Sequence, residues 1–181
     1  MGAAIAFFLC DRGERDVLVL ERDHLGSGTT KGGLGGIRHQ FVDELDIRLS
    51  QLATAFWRNF EDRTGSRHDF AERGYLFIAN TEDGLAQLRE PLPLYERARA
   101  GVRMVDRIEI AELVPGIRVD DLAGGRFGAR DGYGDPLVAL AGFAAAARLE
   151  GAVFREGTAV DALLRERDRV TGVRTPARAR S

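Results

Sequence analysis

Apolar and charged stretches alternate along the first part of the chain in a pattern that predicts an α/β fold. Residues 3–12 combine small and large apolar side chains, which favour a helix packed closely on a sheet. The strand predicted at residues 16–21 has an apolar centre that is partly β-branched and bounded by charge, as is typical of a buried parallel strand. A glycine-rich loop follows at residues 26–36.

A long amphipathic helix is predicted at residues 43–63, with Asp43 as its N-cap and Gly65 at its end. Apolar side chains recur on it at helical spacing, which places them on one face. The residues of this face are Leu45, Leu49, Leu52, Phe56 and Phe60. The same spacing indicates that the aromatic set Phe56, Trp57 and Phe60 packs in the core rather than against a cofactor.

Shorter elements, separated by proline, glycine and charged turns, are predicted for the rest of the chain. Aspartate caps helices and proline fits their first position, so Asp135-Pro136 is a strong helix start. The predicted elements are strands around Gly74 within 69–79, a helix at 81–100 interrupted near Pro91 and Pro93, a short helix at 108–114, a helix from Asp135-Pro136 to about residue 150, a strand at 152–155, and a hairpin of 160–164 with 170–173 whose tip is 165–169.

The first residues match the end of a dinucleotide-binding fingerprint. In that fingerprint, G-x-G-x-x-G follows a strand and opens a helix, and an acidic residue about 20 positions later binds the ribose hydroxyls. Gly2 stands where the third glycine is expected, and Glu21 ends the strand that follows. The opening strand and the first two glycines are missing, so we expect the chain to begin inside its own cofactor motif.

Several segments resemble, in the same order, the N-terminal part of the FAD-dependent oxidoreductases of the glycine oxidase, sarcosine oxidase and D-amino-acid oxidase family. They are MGAAIAFFLCDRG, DVLVLERDHLGSGTT, GGLGGIR, RGYLFIAN, ELVPGI, GGRFGARDGYGDP and REGTAV. The likeness extends to about Arg174. Members of the family continue well beyond the point where this chain stops, so we expect it to be incomplete at both ends, to bind FAD poorly and not to turn over amines.

The resemblance implies a partial Rossmann-like FAD-binding domain, whose first strand is missing, with an inserted α+β portion of a substrate domain. It assigns residues 1–64 and 131–174 to the FAD-binding domain and residues 65–130 to the partial substrate domain. The segment 131–136 is expected to have a structural role, as a turn followed by a capped helix. Residues 175–181 have no pattern that buries anything, and we predict a disordered tail.

FAD is the cofactor that the resemblance implies. The residues expected to bind it are Gly2, Glu21, Arg22, Thr29, Thr30, Gly35, Gly36, Ile37, Arg38 and Val160. Glu21 can accept hydrogen bonds from the ribose hydroxyls, although a surface glutamate at a strand end is the simpler alternative. Gly2 permits close packing of helix on strand, and the amides of that helix would face the pyrophosphate. Val160 is expected to hold the adenine ring through its main chain.

The glycine-rich loop is expected to run along the pyrophosphate to the flavin ring, with hydroxyls of Thr29 and Thr30 near phosphate. Its residues 32–36 are expected to need backbone freedom and a close approach to the ligand. Gly35, Gly36 and Ile37 would approach the ring through their main chain, and Arg38 would lie near its reactive edge, where a cation stabilises reduced flavin. The alternatives are a mobile linker for the loop and a salt bridge to Asp43 for Arg38.

Three functions remain open. The resemblance favours a flavin-dependent oxidoreductase that moves a hydride from a carbon beside an amine nitrogen to flavin, with a small amine or amino acid as substrate. A second hypothesis is a non-catalytic fragment or subunit that completes its fold with another polypeptide. A third is a piece of an NAD-dependent dehydrogenase, against which the long loop after Glu21 argues. No catalytic acid, base or nucleophile is nominated.

Composition limits the kinds of binding partner and the cellular location that we expect for this protein. The net charge is −2, and basic residues are interspersed with acidic ones, so the sequence shows no basic patch of the kind that binds nucleic acid. The apolar runs are too short for a membrane span, and the N-terminus lacks the features of a signal peptide, so the protein is expected in the cytoplasm. Cys10, the single cysteine, is predicted to be a small buried side chain. The scattered histidines predict no metal site.

Overall fold

The computed structural model describes residues 1–176. The helices are α1 (Gly2–Asp11), α2 (Glu44–Arg58), α3 (Phe60–Thr64), α4 (Glu82–Arg89), α5 (Leu92–Arg97), α6 (Arg107–Leu113) and α7 (Pro136–Leu149). The strands are β1 (Leu18–Leu20), β2 (Gly36–Ile37), β3 (Tyr75–Ala79), β4 (Val102–Val105), β5 (Gly124–Gly128), β6 (Gly132–Tyr133), β7 (Val153–Arg155), β8 (Ala162–Glu166) and β9 (Arg169–Arg174). The α/β class is confirmed. Of the tail predicted at 175–181, residues 177–181 lie outside the described residues.

The chain folds into two compact units that interleave along the sequence. Among the described residues, unit 1 consists of Met1–Gly33, Phe60–His68 and residues 136–176. Unit 2 consists of Leu34–Asn59 and Asp69–Asp135. The fold of each unit is described by itself.

Unit 1 is built on a parallel pair of strands and two packed helices. Strand β1 pairs in parallel with β7, with Leu18 opposite Val153. Helices α1 and α7 bury alanine-rich faces, on which Phe7 and Phe143 have their ring centroids 5.5 Å apart. Cys10 is buried on α1, as predicted.

Phe60 and Gly142 fix the packing of α3 on α7 within unit 1. The ring of Phe60 is buried and meets that of Phe143 edge-on, with the centroids 5.1 Å apart. A Cβ added to Gly142 would lie 2.6 Å from Phe60 Cε1, so a side chain there would displace the ring. The prediction that Phe60 belongs to the core is therefore confirmed.

The hairpin predicted near the end of unit 1 is confirmed, with a shorter tip. Strands β8 and β9 are antiparallel, and only Arg167 and Asp168 separate them, whereas the sequence predicted a tip of residues 165–169. Arg167 adopts a positive φ of 52° in this turn. The charged residues on either side remain in the strands because alternate side chains of an exposed hairpin can all reach solvent.

Unit 2 is built on a three-stranded antiparallel sheet in the order β3-β5-β4. The central strand β5 is rich in glycine, and a Cβ added to Gly125 would lie 2.6 Å from the Phe77 carbonyl oxygen. A separate two-stranded ladder joins β2 to β6. The interrupted helix predicted at 81–100 is confirmed as α4 and α5, which are separated at Pro91.

Helix α2 begins as predicted but buries a different face. The Asp43 carboxylate caps it by accepting hydrogen bonds from the amides of Leu45 and Asp46. The predicted apolar face is exposed at its leucines: Leu45, Leu49 and Leu52 are 64%, 53% and 71% exposed. Ile47 is fully buried instead, because it packs against Tyr95 and Val102.

The units do not follow the boundaries predicted at residues 64 and 130. Helix α2 belongs to unit 2, since Ile47 packs on that unit's core and Gln51 Nε2 donates to the Ala98 carbonyl at 2.8 Å. Strand β6 also belongs to unit 2, because Tyr133 pairs with Ala71. The assignment of these regions to cofactor and substrate domains stays a prediction.

Candidate functional site

Glu21 lies at the carboxyl end of the parallel strand pair in unit 1. Its amide donates to the Arg155 carbonyl at 2.9 Å, and its carbonyl accepts from the Thr158 amide at 2.8 Å. The side chain is half-buried, and its Oε1 accepts from the Asp23 amide at 3.0 Å. The carboxyl ends of parallel strands are where α/β folds bind ligands. The carboxylate is therefore held by the backbone at a position suited to a ribose.

The other residues predicted for this part of the site have less specific surroundings. Arg22 is exposed and pairs with Asp23 at 3.2 Å. Val160 is 43% exposed, and within residues 1–176 its amide and carbonyl form no main-chain hydrogen bond. A Cβ added to Gly2 would contact Val19 Cγ1 at 3.8 Å, an ordinary distance, so close packing does not require glycine there.

The glycine-rich loop has defined structure along most of its length. Thr29–Gly32 form a 3₁₀ turn in unit 1, closed by the Gly33 amide donating to the Thr30 carbonyl at 3.2 Å. Within the range 32–36, the positive φ is at Gly35, where it is 72°. The expected backbone freedom therefore applies to Gly35, whereas Gly36 lies in β2. These features argue against a mobile linker.

Residues 36–38 lie at a cleft inside unit 2. Strand β2 pairs with β6, and the Gly134 amide donates to the Gly35 carbonyl at 3.0 Å. A Cβ added to Gly36 would lie 3.2 Å from Cε2 of Tyr75. The cleft has a volume of about 530 Å³. It is lined by Leu34, Gly36, Ile37, Arg38, Phe41, Ser50, Ala53 and Tyr75.

Arg38 packs on aromatic rings and not against an acid. Its guanidinium carbon lies 5.2, 5.8 and 5.5 Å from the ring centroids of Phe41, Tyr75 and Phe77. The alternative, a salt bridge from Arg38 to Asp43, is not found among the described residues. Asp43 Oδ1 instead caps α2. In the described part of the chain, Arg38 forms no ion pair. Its charge is therefore stabilised by ring faces, and it borders the cleft.

Directly behind Arg38, His39 and Gln40 belong to a buried polar network centred on Asp131. The Asp131 side chain is completely buried, and its Oδ1 accepts from the His39 amide at 2.8 Å and lies 2.7 Å from His39 Nδ1. Its Oδ2 accepts from Gln40 Nε2 at 2.9 Å. Because an ionised carboxylate only accepts hydrogen bonds, the His39 nitrogen that faces it carries the proton.

Gln40 connects this carboxylate to a buried arginine. Its Nε2 also donates to the Tyr75 carbonyl at 2.8 Å, and its Oε1 accepts from Arg126 Nε at 2.8 Å. Arg126 is 6% exposed and donates to the Leu88 carbonyl at 3.0 Å. Its guanidinium carbon lies 5.0 Å from the ring centroid of Tyr95. Burial lowers the pKa of Arg126 from its ordinary value.

The sequence analysis missed this network. Residue 131 was expected to serve only in a turn, and the three partners His39, Gln40 and Arg126 were not singled out. The turn itself is present, since the Asp131 amide donates to the Gly128 carbonyl at 3.2 Å. One available signal was the adjacent polar pair His39-Gln40 directly behind the loop that the resemblance assigned to flavin.

Tyr95→Phe is expected to change stability only at high pH. Burial raises the pKa of Tyr95 above its ordinary value of 10.0, and the nearby Arg126 guanidinium acts against this. A pKa that is higher in the folded state makes stability fall as pH rises through it, and a phenylalanine at this position cannot ionise. The Tyr95 hydroxyl has no hydrogen-bond partner among the described residues, so its loss at neutral pH should cost less than about 1 kcal/mol.

Denaturant unfolding at neutral and alkaline pH checks this expectation, with the exposed Tyr133→Phe as control. The parent should lose stability above pH 10 more steeply than the Tyr95→Phe protein. Equal alkaline slopes, or a large loss at neutral pH, would contradict it.

Comparisons with known proteins agree with this architecture. The chain belongs to the family described as FAD dependent oxidoreductase, which matches residues 1–181. It is 29% identical over 175 residues to 4-methylaminobutanoate oxidase (formaldehyde-forming) of Paenarthrobacter nicotinovorans. It is 26% identical over 178 residues to the mitochondrial pyruvate dehydrogenase phosphatase regulatory subunit of Mus musculus. Among solved structures it is similar to L-proline dehydrogenase from P. horikoshii, with a TM-score of 0.88 and 29% identity.

These matches cover nearly all of this chain but only part of each relative. The alignments include 97% of this chain and 21% and 20% of the two curated relatives. The structural match includes 96% of this chain and 46% of the proline dehydrogenase chain. Within the described residues, no helix has the length and apolar character needed to cross a membrane. No three potential acidic, histidine or cysteine metal ligands cluster there.

Proposed function

We propose that this protein binds FAD and takes part in the oxidation of a small amine or amino acid. FAD is the cofactor of the family to which the chain belongs. The observation that carries the proposal is the cleft in unit 2, where glycine main chain and the guanidinium of Arg38 lie together and no acid of residues 1–176 pairs with that guanidinium. When bound, FAD supplies an acceptor for a hydride from the carbon beside an amine nitrogen.

The residues present fit the cofactor in each unit. In unit 1, Glu21 Oε1 is engaged by the Asp23 amide, which orients the carboxylate and leaves Oε2 to accept from ribose hydroxyls. In unit 2, Gly36 has no side chain to fill the cleft, and Arg38 contributes positive charge there. We assign further contacts to main chain or hydroxyl groups. They are Gly2, Arg22, Thr29, Thr30, Gly35, Ile37 and Val160.

Anaerobic mixing of the FAD-loaded protein with candidate amines tests the proposal. The panel follows the names of the relatives: 4-methylaminobutanoate, L-proline, dimethylglycine and sarcosine. At least one should bleach the visible absorption band of bound flavin. Bound flavin that dithionite reduces but that no small amine or amino acid, primary amines included, reduces would contradict the oxidoreductase activity.

A non-catalytic subunit is the second candidate, favoured by the similarity to the regulatory subunit from Mus musculus. Such a protein would bind flavin, or keep only the surface on which flavin binds, and amines would not reduce that flavin. It would complete its fold with a partner polypeptide. The same anaerobic experiment separates the two candidates. A cytoplasmic location remains part of the proposal, and several relatives have names that include the word mitochondrial.

A further inference from the structure

The position of Arg38 depends on the residues that follow it. His39 and Gln40 are 2% and 4% exposed, whereas Arg38 itself is only half-buried at the cleft. Arg38 directly follows the two-residue strand β2. A long side chain has many rotamers, and its direction is set by the main chain from which it starts. The interactions that fix residues 39 and 40 therefore also fix where the guanidinium of Arg38 lies.

One carboxylate supplies most of these interactions. The Asp131 carboxylate accepts hydrogen bonds from the His39 main-chain amide, the His39 ring and the Gln40 side-chain amide, with donor–acceptor distances of 2.7 to 2.9 Å. Asp131 also directly precedes β6, the strand that pairs with β2. Asp131 thus holds the chain after Arg38 through its side-chain bonds, and the strand that follows Asp131 holds the chain before Arg38.

The network balances charge without placing an acid beside Arg38. The buried negative charge of Asp131 compensates the buried positive charge of Arg126 through the Gln40 amide between them. Arg38 and Arg126 approach the same ring, at 5.5 and 5.2 Å from the Phe77 centroid, but Arg38 is outside the hydrogen-bonded chain. Its charge remains available to a ligand in the cleft.

We propose that Asp131 is a positioning residue that orients Arg38 toward the flavin, an inference that rests on the proposed function. Asp131 acts through the main chain of residues 39 and 40 and does not itself contact the cofactor. The Asp131→Asn variant leaves the shape unchanged but places an NH₂ group against Gln40 Nε2, so donor faces donor. Rotating the Gln40 amide would only transfer the mismatch to Arg126 Nε.

The test combines FAD and ADP titrations with hydrogen exchange of the apoprotein. Asp131→Asn should weaken FAD binding about 10-fold, the effect of one lost charged hydrogen bond, while ADP binding is unchanged. It should also accelerate exchange of the His39 amide. The matched control is Asp121→Asn, which removes an exposed carboxylate of unit 2 that pairs with Arg118 and should change nothing.

A double-mutant cycle separates positioning from general destabilisation. In an Arg38→Met background, Asp131→Asn should have no further effect on FAD affinity, because the guanidinium that Asp131 positions is already absent. The double variant Asp131→Asn/Gln40→Glu should recover FAD affinity, since it restores every bond of the network except that to the Tyr75 carbonyl. It also serves as the folded test protein if Asp131→Asn alone does not fold.

Three results would overturn the inference: equal weakening of FAD and ADP, a full effect of Asp131→Asn in the Arg38→Met background, or no recovery in the double variant. Failure of the proposed FAD binding is distinguishable, because the parent itself would then not bind FAD, whereas failure of the inference leaves FAD binding of the parent intact. Unchanged exchange of the His39 amide in the Asp131→Asn apoprotein would also reject the positioning role.

Discussion

Replacing Gly36 with valine is expected to abolish FAD binding while unit 2 keeps its fold. Gly36 lies in β2 with a φ outside the left-handed region, so valine can adopt its backbone conformation and keep the pairing with β6. The new Cβ would lie 3.2 Å from Tyr75 Cε2, which the ring can relieve by a small shift. The branched methyls would then occupy the cleft. We expect FAD affinity to fall by at least about 100-fold, or about 2.7 kcal/mol.

Calorimetric titration with FAD, alongside circular dichroism of the apoprotein, measures both parts of this expectation. Gly172→Val is the matched control, because Gly172 is a strand glycine whose added Cβ would meet only Leu164 Cδ1, at 3.6 Å. The control should bind like the parent. If Gly36→Val binds FAD normally, the cleft of unit 2 does not receive the cofactor.

Replacing Glu21 with alanine is expected to raise the dissociation constant for FAD by roughly 10- to 150-fold. The carboxylate is held at the end of β1 by the Asp23 amide and can accept charged hydrogen bonds from the ribose. Losing such a bond costs about 1.5 to 3 kcal/mol. Binding of ADP should weaken by the same factor, because ADP contains the same ribose, whereas binding of riboflavin should not change.

Glu150→Ala is the control for this substitution. Glu150 is an exposed glutamate of unit 1 that pairs with Arg15, so its loss removes the same charge without touching the end of β1. FAD and ADP affinities equal to those of the parent in Glu21→Ala would remove Glu21 from the site. A loss for FAD without one for ADP would place the carboxylate elsewhere on the cofactor.

Local signals in the sequence were sufficient to locate β1 and several helices, but not β2, which begins at the end of the predicted loop. The charged boundaries of residues 16–21 located β1, and the cap at Asp43 located the start of α2. Both depend on neighbours a few residues away, which the sequence displays directly. Pro91 likewise marked the break between α4 and α5, and Pro93 stands in the first turn of α5.

The buried face of α2 could not be predicted in the same way. Its leucines have the stronger apolar spacing, but Ile47 is the buried residue because Tyr95 and Val102, from other elements, pack on that side. The choice between two possible faces of a helix depends on partners that are remote in sequence. Local periodicity contains no information about those partners.

Asp131 shows the same limit at the candidate site. Its Asp-Gly sequence indicated a turn, and a turn is present. Its burial depends on His39, which is 92 residues away in the chain and supplies two of its hydrogen bonds. A buried acid is tolerated only when such partners exist, and the sequence does not display which residues meet. The resemblance directed attention to Arg38 but not to the residues that hold it.

Titration of the protein with FAD, ADP and riboflavin is the most direct test of the central claim that this chain contributes both a ribose-binding carboxylate and a flavin-binding cleft. The sequence alone predicts poor binding of FAD, whereas the surroundings of these residues in each unit lead us to predict saturable binding. ADP binding should depend on the Glu21 carboxylate of unit 1, and riboflavin binding should depend on residues 36–38 of unit 2. No saturable binding of FAD, ADP binding unchanged by Glu21→Ala, or riboflavin binding unchanged by Gly36→Val would contradict the claim.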